Sequence, residues 1–209
     1  MVPLRSGMRL LVGGFGERGF PFELVEAVRR LGLQDLTIVK SDGNEDDLGV
    51  GRLIKAGQVR RVVMSHTGLN RRLCEMIGDR TVEAEICPQG ILAERIRAGG
   101  AGLGGILSDI GVETLVADGK RRVEVGGRIY LIEEAIRGDA ALLHAHRGDD
   151  CGNLTYRNAA RNFNPLMAMA ADYVVVEVEQ VVPTGSLRPD EVVTAGVFVD
   201  AMVQAGAQD

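Results

Sequence analysis

A chain of 209 residues exceeds the roughly 150 of a typical domain without reaching two, which favours one large α/β domain over residues 1–209. With 29 acidic residues against 24 basic ones the net charge is −5 and no Lys/Arg block offsets it, which argues against duplex nucleic acid and polybasic membrane docking. Three Tyr, five Phe and no Trp leave little from which to build a base-stacking surface, and three scattered cysteines without a C-x-x-C pair suggest a reducing, cytoplasmic setting without zinc or disulfides.

Apolar stretches alternate between short branched runs and helical spacing. Residues 8–12 read as a buried strand, and 21–31 as a helix with Pro21 near its start and Gly32 past its end. Strand 36–40, helix 49–56, strand 61–65, helix 70–77, strand 82–87 and a helix from Gln89 to about residue 98 follow. This order predicts a mostly parallel open sheet flanked by helices. Residues 121–132 (RRVEVGGRIYLI) form two alternating runs about Gly-Gly, a β-hairpin expected at one sheet edge. Strands over 140–146 and 173–178 enclose a helix over 165–171, and residues 206–209 read as a disordered tail. The first residues resemble no signal peptide, and no apolar run approaches the roughly eighteen residues of a membrane span.

Chemistry is expected first in Gly13, Gly14, Phe15, Gly16, Glu17, Arg18 and Gly19, a loop between strand and helix whose last six residues spell G-x-G-x-x-G, with Asp42 just past the second strand. A dinucleotide motif would start its helix among the glycines, where Pro21 would then remove a needed N–H. A helix starting at Pro21 leaves an open loop offering N–H groups and a helix N-terminus to an anion, with a purely structural turn as the alternative. Gln89, at a strand-to-helix turn on the ligand edge of the sheet, reads either as a helix cap or as a neutral donor to a developing oxyanion. The glycines at 99, 100, 102, 104 and 105 permit close approach by a ligand or second chain, or mark a mobile loop. His144 and His146 share one face of a strand, but no carboxylate or cysteine stands nearby at ligand spacing except Asp149, Asp150 and Cys151 in the next turn, so no metal is expected. Glu177 with Glu179, and the Glu45, Asp46, Asp47 cluster, read as solvated charge. No G-x-S-x-G elbow or P-loop occurs.

GGFGERGFP (13–21), CPQGILAERIRAGGAG (87–102), EEAIRGDAAL (133–142) and GNLTYRNAARNFNP (152–165) together resemble the alpha subunit of family I coenzyme A transferases, and HTGLN (66–70) and LLHAHR (142–147) are most like the acetate/acetoacetate, or 3-oxoacid, members. The resemblance implies a two-chain, hetero-oligomeric enzyme, α2β2 or larger, moving coenzyme A from a short-chain acyl-CoA to a free carboxylate through a glutamyl-CoA intermediate on a beta subunit. Coenzyme A is then substrate, not a resident cofactor. The beta-chain S-E-N-G motif is absent from this sequence, so the nucleophile is expected on the partner. By the same resemblance Gly13 to Gly19 correspond to a CoA-binding stretch and Gln89 to an oxyanion donor. Ser108-Asp109-Ile110-Gly111 departs from the family's T-P-T-G, which bears on substrate choice. A non-catalytic acyl-CoA or sugar-phosphate binding protein on the same fold is the alternative.

Overall fold

Short branched runs without polar alternation fold as strands covered on both faces. The computed structural model describes residues 4–206. Its first half runs β1 (Arg9–Val12), α1 (Phe22–Arg30), β2 (Leu36–Val39), α2 (Val50–Lys55), β3 (Val59–Met64), α3 (Arg71–Gly78) and β4 (Glu83–Ile86). The second half runs α4 (Gln89–Gly100), β5 (Gly105–Ser108), β6 (Arg122–Val125), β7 (Arg128–Glu134), β8 (Ala140–Asp149), β9 (Leu154–Thr155), α5 (Asn164–Met169), β10 (Val174–Val182) and β11 (Ala201–Gln204). The main sheet has the order β11-β10-β8-β1-β2-β3-β4, with parallel neighbours throughout, and β9 adds antiparallel to β8.

The chain walks outward from β1 to β4 and later from β8 to β11 in the opposite direction. Because parallel crossovers are right-handed, that reversal puts the two sets of helices on opposite faces. Leu10, Val12, Ile38 and Leu142 accordingly pack with Val25 and Val28 of α1, Leu53 of α2 and Leu73 of α3. Leu11, Val39, Val63 and Leu143 point the other way, onto Leu92 and Ile96 of α4 and Met167 of α5. Among the described residues no helix is long and apolar enough to cross a membrane.

The expected hairpin is present, and its place is more specific than the sequence indicated. β6 and β7 join β5 in a separate antiparallel sheet of order β5-β7-β6, instead of extending the parallel one. β8 and β10 run past their expected ends because each supplies the other with a partner as far as Val182 and Asp149. Of the expected tail, residues 207–209 lie outside the described ones, and the Gly206 N–H donates to Glu23 at 2.7 Å.

The glycines from 99 to 105 allow close approach, but largely by this chain's own segments. Gly99 is buried in the last turn of α4, where a Cβ would stand 2.0 Å from the Ile136 carbonyl oxygen. Ala101 to Gly104 are the exposed part. Gly99→Ala should therefore push α4 off the 136–137 segment and cost about 2–3 kcal/mol. Gly104→Ala, with nothing within 4 Å of the added carbon, should stay within about 0.5 kcal/mol. Urea denaturation compares the two, and equal midpoints would contradict this packing.

Candidate functional site

In an open parallel sheet the ligand crevice lies at the carboxyl ends of the strands where the winding reverses, here between β1 and β8. The Gly13 to Gly19 loop leaves β1 at that point. α1 begins after Pro21, as expected, so the glycines form a loop above the sheet and not the first turn of a helix. Phe15 and Arg18 exchange backbone hydrogen bonds of 3.0 and 3.1 Å, which makes the loop a tight hairpin with Gly16 and Glu17 at its tip.

Two sets of side chains grip this hairpin. On one side the Asn162 Oδ1 accepts from the Gly14 N–H at 3.2 Å while its Nδ2 donates to the Arg18 carbonyl at 2.8 Å. Asn164, fully buried, donates to the Gly19 carbonyl at 3.0 Å and accepts from the His144 N–H at 3.1 Å. Gly19 lies so close to the 158–161 turn that a Cβ would stand 2.2 Å from the Ala160 carbonyl oxygen. On the other side Ser41 Oγ lies 3.1 Å from the Gly14 carbonyl, its one proton shared with the closer Asp42 carboxylate, Asn44 Nδ2 donates to the Gly16 carbonyl at 3.0 Å, and the Gly16 N–H donates to Asp42 at 2.9 Å. Among the described residues the N–H groups of Glu17 and Gly19 are the hairpin's two that meet no acceptor in the chain.

Asp42 is thus a structural anion and not a ribose ligand. It pairs with Lys40 at 2.9 Å and accepts from Ser41 Oγ and the Gly16 and Asn44 N–H groups. Burial alone would raise its carboxyl, but the Lys40 ammonium and those hydrogen bonds outweigh it and hold the carboxyl at about 2. Lys40 is 0% exposed, 5.4 Å over the Phe20 ring, and its burial pushes the ammonium below the usual lysine range.

The expectation of an open helix N-terminus is corrected. Glu177 of β10, read from the sequence as solvated, is 2% exposed and accepts from the Glu23 and Leu24 N–H groups at 2.8 and 3.1 Å. Position 177 lies beside the first turn of α1, so the chain's own carboxylate fills the place an external anion would take. Burial pushes this carboxyl up to about 7, against the pull of those N–H groups. Its neighbour Glu179 remains part-exposed, bonded to His146 Nδ1 at 2.8 Å. Glu45 and Asp47 are exposed, as expected for that cluster. His144 Nε2 lies 3.7 Å from the Glu179 carboxylate, and burial pushes its imidazole below the usual range. Among the described residues no three His, Cys, Asp or Glu side chains are placed to hold a metal ion.

Two concavities flank the hairpin. One of about 1170 Å³ is lined by Glu17, Arg18, His144, Arg157, Glu177 and Glu179 among others. The other, of about 210 Å³, lies between the loops after β1, β2 and β3 and includes Phe15, Asn44, Leu48, His66 and Leu69. Gln89 is not part of either. It is the exposed first residue of α4, after edge strand β4, three strands from β1, which is about 14 Å at the usual strand spacing. The helix-cap alternative is not what the structure shows, because the cap position is Pro88 and no side chain caps α4. Ser108 is buried and its Oγ accepts from the Ile110 N–H, while Asp109 and Ile110 are exposed at the end of β5.

Sequence reasoning missed Glu177, Asn162 and Asn164 as site residues. The one local cue for the asparagines was their density over residues 158–164, since Asn tolerates positive φ in tight turns, and Asn158 and Asn162 adopt it here. The Glu177 geometry has a pH consequence. Its folded-state value is raised from 4.5 to about 7, so the stabilising proton is fully present below pH 4.5 and lost as pH rises through 7. Stability of the purified chain should therefore fall between about pH 4.5 and 7, by at most about 3 kcal/mol from this group. Glu177→Gln, which keeps the acceptor, should remove that component in thermal unfolding at pH 5 and 7.5. An unchanged slope in the variant would contradict the assignment.

The sequence profile of the coenzyme A transferase family matches residues 2–205. The chain is 46% identical over 199 residues, 95% of its length and 90% of the relative's, to the alpha subunit of the acetate CoA-transferase of Escherichia coli (strain K12). It is 43% identical over 202 residues, 96% of its length and 87% of the relative's, to the A subunit of the 3-oxoadipate CoA-transferase of Pseudomonas putida. Among solved structures, an acyl-CoA transferase of E. coli O157:H7 in a thioester complex with CoA is similar with a TM-score of 0.83 and 25% identity, over 99% of this chain. The chain spans 46% of that protein's length. Glutaconate coenzyme A-transferase of Acidaminococcus fermentans shares the fold, with a TM-score of 0.86 at 19% identity over 97% of this chain and 72% of that one. The chain belongs to the coenzyme A transferase family.

Proposed function

We propose that this chain is the alpha subunit of a cytoplasmic, two-chain CoA-transferase, α2β2 or larger, that moves coenzyme A from a short-chain acyl-CoA to a carboxylate of the acetate or 3-oxoacid type. Residues 1–209 act as one CoA-transferase alpha-subunit domain. The observation that carries this reading is the similarity, over nearly the whole chain, to proteins named alpha or A subunits of such enzymes. The absence of S-E-N-G from the sequence agrees with it, because the nucleophilic glutamate is then the beta subunit's.

The chemistry divides accordingly. The beta carboxylate attacks the thioester carbonyl, expelling the CoA thiolate and leaving an acyl-glutamyl anhydride. The thiolate returns to the glutamyl carbonyl, which releases the donor carboxylate and leaves the glutamyl-CoA thioester. The acceptor carboxylate repeats these steps in reverse. Through all of them the CoA must stay held while the acyl groups exchange, the task of Gly13, Gly14, Phe15, Gly16, Glu17, Arg18 and Gly19. The braced hairpin supports that role: its geometry is set before any ligand arrives, so little ordering cost falls on binding. Each attack puts negative charge on a former carbonyl oxygen. A neutral amide that engages it more strongly than the ground-state carbonyl lowers the barrier, and this is the role of Gln89. Its exposed side chain, free of any capping duty, supports this.

Gln89→Ala in the assembled enzyme should lower kcat by about 10²- to 10³-fold with little change in acyl-CoA affinity. The unfolding midpoint should barely move, since no cap is lost. Gln89→Glu should be at least as harmful, because an ionised carboxylate cannot donate and repels the oxyanion. Near-normal kcat for Gln89→Glu at saturating acyl-CoA would refute the role. The two-chain reading is tested separately: the purified chain should show no transferase turnover until its beta partner is added, and appreciable activity alone would overturn it.

A further inference from the structure

We propose that Asn162 is a positioning residue for coenzyme A: its carboxamide clips the two ends of the glycine hairpin together and so fixes the peptide groups that the CoA moiety meets. This rests on the reading of the hairpin as the CoA-binding loop. One amide serves both ends, Oδ1 accepting from Gly14 and Nδ2 donating to Arg18, across 148 and 144 residues of sequence. The Arg18 carbonyl and the Gly19 N–H belong to one planar trans peptide and point in opposite directions. Holding the Arg18 carbonyl against Asn162 therefore turns the Gly19 N–H away from Asn162. Among the described residues that N–H is one of the hairpin's two that meet no acceptor in the chain, and Glu17, Arg18 and Gly19 all line the larger concavity.

The arrangement needs a carboxamide. The Ala159 and Ala160 carbonyls also lie 3.1 Å from Nδ2, so three carbonyl oxygens converge on its two N–H groups. A carboxylate there would face all three without a proton to give. The backbone at 162 adopts φ 24°, which glycine accepts readily, so Asn162→Gly deletes the clip while easing the turn.

The test uses the enzyme assembled with its beta subunit. Asn162→Asp and Asn162→Gly should each raise the KM for acyl-CoA by about tenfold or more, the order expected when a well-placed hydrogen bond and its geometry are lost. kcat should stay within about threefold and the KM for the acceptor carboxylate should not change. A merely structural residue would lower the unfolding temperature and the amount of active enzyme without that split. Amide exchange on the wild-type complex supplies the second readout: saturating CoA should slow exchange at Glu17 and Gly19. If CoA slows exchange there but both variants keep the wild-type KM, the clip is refuted while the loop reading stands. If CoA leaves exchange at residues 13–19 unchanged, the loop reading fails and the clip fails with it.

Discussion

A backbone polar group taken out of water must find a partner, and in this fold the segment that most needs partners is the glycine hairpin at the winding reversal. It has no helix or sheet ladder of its own beyond the Phe15 and Arg18 pair. The Gly13 N–H donates to the Leu142 carbonyl and the Phe20 N–H to the Glu17 carbonyl, and several further groups bond to side chains from two distant places: Asn162 and Asn164 from the turn before α5, and Ser41, Asp42 and Asn44 from the loop after β2. These two arms reach the hairpin from elements on opposite faces of the sheet, so the site holds its shape only when both layers of helices are in place. Folding of the sheet and formation of the site are in this sense one event.

Charge is arranged to the same end. A buried ion pair contributes little unless every remaining acceptor is bonded, and Asp42 meets that condition with Lys40, Ser41, Gly16 and Asn44 around it. Glu177 works without an ion pair among the described residues, filling the α1 N-terminus from β10 and tying the second half of the sheet to the first helix. The helix dipole is thereby used inside the molecule, which leaves the hairpin's own N–H groups at Glu17 and Gly19 as the donors offered outward. With Gln89 opening α4 just past the carboxyl end of edge strand β4 and the hairpin just past the carboxyl end of β1, the groups assigned to substrate lie along one rim of the sheet, and a second chain carrying the nucleophile completes that rim in the proposed enzyme.

The alternating strand and helix order was legible because LTIVK and RVVMS carry no polar alternation, and Pro21 placed the start of α1 correctly against the pull of a dinucleotide-like motif. β5, β9 and β11 were not legible: they are two to four residues long, β5 starts in a glycine-rich run, and none has a pattern apart from the partner it pairs with. At the site, position and residue type led to the hairpin and to Gln89. The alternation of Glu177 with Glu179 gave their shared face but not their different depths, which depend on α1 arriving over one and not the other. Asn162 and Asn164 stood in a recognisable motif whose purpose became visible only when the fold brought it against residues 144 to 148 positions away.

The most direct test of a preformed hairpin is a crystal structure of the assembled enzyme with CoA bound. Expected is CoA against the Glu17 and Gly19 N–H groups, with residues 13–20 moving by no more than the roughly 1 Å typical of preorganised sites and the Asn162 bonds to Gly14 and Arg18 intact. CoA seated away from residues 13–19, or a hairpin that has released Asn162 and Asp42 to receive it, would contradict a site built in advance by the two arms.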